Sequence, residues 1–218
     1  MIKILSALSW YKELVKGFSA MKQANKTEKS IHIIACQVFQ PALEHLQLEE
    51  RYPNLYITYL PSNLHMTPLK LKVYLLEEID AARTRKERII CIYGECFPNI
   101  SNVCEEFEII KVPGCHCYEI LLGSDQYKQI VDETAGTYFL EQDLVQNFET
   151  YCVEPLELYD EDIRKCCFEH YKRILYIRQP SDPDLTLKAK EVADFLGLAL
   201  EIRDADYCYL EEKVRRSI

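Results

Sequence analysis

The chain has 218 residues, 48% of them hydrophobic and 28% charged, with a formal net charge of −9. That length suits one sizeable domain or two small lobes around a shared cleft. The negative charge argues against a nucleic-acid footprint and against adhesion to anionic membranes, and no apolar run approaches the roughly 20 residues of a spanning helix.

The start, MIKILSALSWYKELVKGF, has no apolar core followed by a small-residue cleavage site, so it reads as an amphipathic helix rather than a signal peptide. With the polar linker KQANKTEKS it forms an N-terminal helical extension over residues 1–29. SIHIIAC (30–36) reads as a buried strand, PALEHLQLEE (41–50) as a short helix and NLYITYLP (54–61) as a second strand ended by Pro61. Thr67 and Pro68 make a helix start, an N-cap followed by proline at the first helical position. Leu69, Val73, Leu76 and Ile79 then recur at helical spacing. ERIICIYGEC (87–96) is the third and most apolar strand, EFEIIKVPG (106–114) the fourth, and HCYEILLGS turns into a helix. Helices are expected around 125–133, 141–152 and 160–170, with Gly136-Thr137-Tyr138 between them read as a turn. YKRILYI (171–177) is a further strand. Asp184 caps a helix stopped by Gly197, LALEI (198–202) is the last strand, and Asp206 opens a final helix.

Strands separated by helices predict an α/β fold, a mostly parallel, Rossmann-like sheet with crossover helices. Residues 30–124 would form a first α/β lobe, and residues 125–218 a helical connection and second α/β half. The two halves either share one sheet or form two lobes around a cleft.

In open α/β sheets, ligands bind beyond the carboxyl ends of the strands. Strand one ends at Cys36, strand two runs into His65, strand three into Gly94-Glu95-Cys96, and strand four into Gly114-Cys115-His116-Cys117. Neighbouring parallel strands lie about 4.8 Å apart, so side chains from several of them can converge. Three thiolates, Cys36, Cys96 and Cys117, suit a 4Fe-4S cluster with one open iron, or a zinc ion completed by a fourth ligand such as Cys115, His65 or His116. His65, Glu95 and His116 are the acid–base candidates. Gly94 and Gly114 allow tight turns and close backbone approach. A single cysteine at a strand end is more often packing than ligand, so the weight rests on the combination. Of the ten cysteines no two form a CxxC pair. Cys91, Cys104, Cys152, Cys166, Cys167 and Cys208 read as structural, and His32 and His45 as surface or half-buried. Without a secretory signal the compartment expected is the cytoplasm, where disulfides are rare.

Four stretches resemble the uncharacterised domain-of-unknown-function family sixteen-thirty-eight of methanogens and anaerobic bacteria. They are IIAC (33–36), LPSNLHMTP (60–68), YGEC (93–96) and CHCYEILLGS (115–124) followed by GTYFLEQDL (136–144). The resemblance spans roughly residue 30 to the C-terminus. It implies thiols at Cys36, Cys96 and Cys117 and an imidazole at His65. Where the family has His-Asp-Cys, this chain has Cys115-His116-Cys117. It also implies an association with corrinoid-dependent methyl transfer in anaerobic one-carbon metabolism.

Three functions are open at this level. The first is an enzyme acting on a small molecule through an iron–sulfur cluster, by lyase or by sulfur- or methyl-transfer chemistry, with the loop QPSDPD (179–184) closing over the pocket. The second is a non-catalytic accessory protein or metallochaperone for a methyltransferase or corrinoid partner. The third is a zinc-thiolate methyltransferase. The 15 tyrosines and the helical extension suit a homodimer contact.

Overall fold

The computed structural model describes residues 29–218. The expected N-terminal extension lies outside them but for Lys29. In chain order the strands are β1 (Ile31–Cys36), β2 (Leu55–Leu60), β3 (Arg88–Ile92), β4 (Ile110–Lys111), β5 (Thr137–Leu140), β6 (Arg173–Arg178) and β7 (Ala199–Asp204). The helices before β4 are α1 (Gln40–His45), α2 (Leu48–Arg51), α3 (Pro68–Thr84) and α4 (Ile100–Glu106). After β4 come α5 (Cys117–Leu122), α6 (Ser124–Glu133), α7 (Gln142–Gln146), α8 (Glu161–Phe168), α9 (Thr186–Leu196) and α10 (Cys208–Ser217).

The fold is α/β with parallel pairing throughout both sheets, in a Rossmann-like arrangement. The described residues form two sheets, of order β2-β1-β3-β4 and β5-β6-β7. β1 is wholly buried along its six residues because it is an inner strand of the first sheet. Burial on both faces selects a continuous apolar run rather than an alternating one. His32 is an exception to that chemistry and a correction to its expected exposure. It is 0% exposed, and its Nε2 is 2.8 Å from the Thr58 hydroxyl on β2.

The two sheets are fused through one face of the second. On β6, Leu175 and Ile177 join the first core, while Ile174 and Tyr176 join the second. That division follows the two-residue period of a strand. Leu210 and Val214 of α10 also join the first core, so the last helix packs away from its neighbours in sequence.

Several local expectations shift. Residues 137–140 form a strand paired with β6 rather than a turn. The fourth strand shrinks to two residues, since 100–106 is helical and Glu108 has φ +56°. Helix α3 begins at Pro68 as expected, but Thr67 caps it without a side-chain bond. It buries Leu71, Leu75, Ile79 and Ala82 and leaves Leu69 and Val73 exposed. The sequence offers apolar residues on two adjacent stripes, and only packing chooses between them. Residues 141–152 hold the single short helix α7 and then a π turn over Glu149–Val153.

Candidate functional site

The first sheet changes direction between β1 and β3. From β1 the chain steps outward to β2, then returns to the far side of β1 with β3 and continues to β4. A crevice opens at such a switch point, beyond the carboxyl ends of the strands. Cys36 is the last residue of β1, and the register sets Ala35 beside Ile92, so Cys36 and the Gly94-Glu95-Cys96 turn flank the switch. Cys117 reaches the same place from the start of α5. A cavity of about 340 Å³ there is lined by Cys36, Cys96 and Cys117 together, and by Cys115, His65 and His116.

Close backbone contact joins two of the thiol segments. A Cβ on Gly94 would stand 2.7 Å from the Cys115 carbonyl oxygen and 2.9 Å from the His116 Cα. The glycine thus serves approach of backbone to backbone. Gly114 has φ +145°, and a Cβ there would strike the Ile120 side chain at 2.5 Å.

All ten cysteines are free thiols. Burial pushes Cys36 up to about 12, with the charges of Cys96, Glu141 and Asp143 adding to the rise. Burial also raises Cys117 well above the ordinary thiol range, with Glu141, Cys36 and Cys96 adding. Cys96 is raised chiefly by burial. Thiols of this kind are protonated at neutral pH and poor nucleophiles by themselves. Among the described residues, no group of three or more His, Cys, Asp or Glu side chains is arranged to hold a single metal ion.

The remaining candidates divide. His65 and His116 are exposed at the mouth of the cavity. Glu95 also lines it, but its carboxylate accepts from the Ser101 hydroxyl at 2.6 Å and lies 3.2 Å from Lys111 Nζ. Burial would raise Glu95, yet the bonds from Ser101 and Lys111 outweigh that and hold it below the ordinary carboxylate value. It is therefore an ionised, tethered group. The QPSDPD loop is pinned as well. Ser181 Oγ is 2.6 Å from the Tyr207 hydroxyl, and Asp182 accepts from the Tyr176 hydroxyl at 2.7 Å.

The second lobe supplies groups that the sequence reading did not single out. Glu141 follows β5, is 3% exposed, and lines the thiol cavity. Its side chain accepts from the amides of Asp143 and Leu144, both at 2.8 Å. Burial raises it to about 7, against those two bonds, which act to lower it. Asp143 accepts a short bond from the Ser62 hydroxyl beyond β2, so the carboxyl edges of the two sheets are joined across the cavity. Cys152, in the π turn, lines the cavity too, with its sulfur 3.5 Å from the Tyr138 hydroxyl. A glutamate in place of the usual Ser, Thr, Asp or Asn cap was the available signal for Glu141.

A family model described as "Protein of unknown function (DUF1638)" matches residues 59–214. The chain belongs to this family. The matched stretch of the DUF1638 protein takes in His65, Glu95, Cys96, Cys117 and Glu141, and begins after Cys36. No curated protein and no solved structure matches the chain. No helix among the described residues is long and apolar enough to cross a membrane.

Proposed function

We propose that this DUF1638 protein is an enzyme acting on a small molecule through an iron–sulfur cluster held by Cys36, Cys96 and Cys117. One observation carries the reading: thiols from three distant parts of the chain line a single cavity at the switch point of a parallel sheet. A tetrahedral zinc–thiolate site needs sulfurs about 3.8 Å apart, from Zn–S bonds of about 2.3 Å. No such trio stands assembled among the described residues, so the preference for a cluster over zinc rests on the resemblance to a family of anaerobes. Burial raises all three thiols, so a metal held there would have to displace their protons.

When bound, a cluster with one iron free of protein thiolate supplies a Lewis acid. The chain's own residues supply the rest. Glu141, raised to about 7 by burial, holds or accepts a proton at its carboxyl near neutral pH. Phe39, Tyr118, Leu144 and Leu156 give the cavity apolar walls that limit water. His65 and His116 stand at its mouth. The cytoplasm as compartment belongs to this reading through the lack of a secretory signal in the sequence, and corrinoid-dependent one-carbon transfer as context through the resemblance alone.

Protein purified without oxygen tests it. The expected result is a brown solution with broad charge-transfer absorption in the visible, bleached in Cys36→Ser, Cys96→Ser and Cys117→Ser and kept in Cys166→Ser. A colourless protein with one zinc overturns it.

A further inference from the structure

We propose that two copies of this chain pair through the outer face of α3, antiparallel about a twofold axis, with Lys70 of each copy set against the partner's Glu77. The inference stands apart from the cluster reading. Helix α3 carries one more apolar row than its own lobe uses. Leu71, Leu75, Ile79 and Ala82 are buried in the first core. On the outer side Leu69 is 82% exposed and Val73 54% exposed, and the half-buried Leu76 continues the row. Spacings of four and then three residues put these three side chains on one side of the helix. Met66, just ahead of the helix, and Tyr74 are exposed beside them. Four of the eight exposed large apolar residues among the described ones thus fall within residues 66–74. Single exposed apolar residues are ordinary, but a contiguous group of them marks a contact surface.

The charges beside the row identify the occupant. Lys70 and Glu77 are both exposed and stand seven residues apart, about two turns, so they share one flank of the row. Neither forms an ion pair among the described residues, and neither do Lys72, Glu78 and Asp80. Lys70 lies in the first turn of the helix, which holds no acidic residue and where the helix dipole disfavours a cation. The outer face is therefore basic toward its start and acidic farther along. In an antiparallel pair of identical helices each flank meets its own counterpart in reverse. An axis between residues 73 and 74 brings Lys70 to the partner's Glu77, and Glu77 to the partner's Lys70. The same axis lays Leu69, Val73 and Leu76 against the matching row of the second copy. A parallel pair would set like charges level with one another. The apolar row supplies the affinity of such a contact, and the charges set its direction. Met66 also lines the thiol cavity, so the end of the partner's helix runs beside the rim of each site.

Sedimentation equilibrium on the full chain, purified without oxygen, tests this in dilute salt. The wild type is expected to dimerise reversibly, and Leu69→Asp to be monomeric. Lys70→Glu and Glu77→Lys each place like charges together at both ends of the contact, so each alone should weaken the dimer about tenfold. The double variant Lys70→Glu/Glu77→Lys restores both pairs and should return the affinity to within about threefold of the wild type. All three positions are exposed, and circular dichroism checks that every variant folds. A monomeric wild type overturns the proposal, including one in which residues 1–28 cover the row in place of a second copy. A dimer that persists in Leu69→Asp, or a double variant as weak as the two single ones, overturns it as well.

Discussion

The amide of Glu95 donates to the carbonyl of Cys115 at 2.7 Å. Through that bond the turn after β3, which carries Cys96, is tied to the segment that carries Cys117. Gly94 makes the tie possible, because only a residue without a Cβ fits between the two stretches of backbone.

Gly94→Ala should therefore separate the segments. All three atoms nearest the new methyl are backbone, so none can swing aside. A cost of about 1–3 kcal/mol is expected, in the range of overpacked cores. Urea unfolding reads the stability, and iron content after anaerobic reconstitution reads the site. Both should fall, and an unchanged midpoint with unchanged iron contradicts the contact.

Ser62→Ala removes the donor that Asp143 uses to hold the two sheet edges together. A hydrogen bond to a charged group contributes about 1.5–3 kcal/mol, and this pair is part-buried, so a loss near the lower figure is expected. Hydrogen exchange should quicken at α7 and around Ser62, and leave β6 and β7 unaffected. Uniform exchange across both lobes counts against the link.

Glu141 and His32 predict opposing pH dependences. Glu141 is raised by burial from an ordinary 4.5 to about 7. Its contribution is full below pH 4.5 and lost as pH rises through about 7, on the order of 3 kcal/mol in total. His32 is lowered from 6.5 to about 4 by burial, with Arg85 adding to that and Glu87 opposing it. Its contribution is full above pH 6.5 and lost as pH falls through about 4. In Glu141→Gln only the histidine remains, so stability should climb more steeply from pH 4.5 to 6.5 than in the wild type. It should then stay level to pH 7.5. Urea-unfolding curves that run parallel for the two proteins across this window refute the assignment.

Much of the fold is legible in the sequence because inner parallel strands are bare apolar runs. IHIIAC and RIICI announce themselves, and the thiols at or beyond their carboxyl ends follow from the rule that ligands sit there. Other features need packing. TYFL is short, follows a glycine and contains two polar positions, so only its pairing with β6 makes it a strand. The buried face of α3 is set by the sheet beneath it. His32 lies inside because β2 and β3 flank β1, which no local pattern states. Glu141 becomes a site residue only when the second sheet turns its carboxyl edge toward the first. A one-dimensional reading of strand ends treats the two halves separately and passes it over.

Iron and acid-labile sulfide per chain, measured on protein purified and kept without oxygen, test the central claim most directly. The account predicts about four of each in the wild type, little in Cys36→Ser, Cys96→Ser or Cys117→Ser, and wild-type content in the exposed control Cys208→Ser. Iron-free wild type after anaerobic reconstitution, or full iron in any of the three cavity variants, would contradict it.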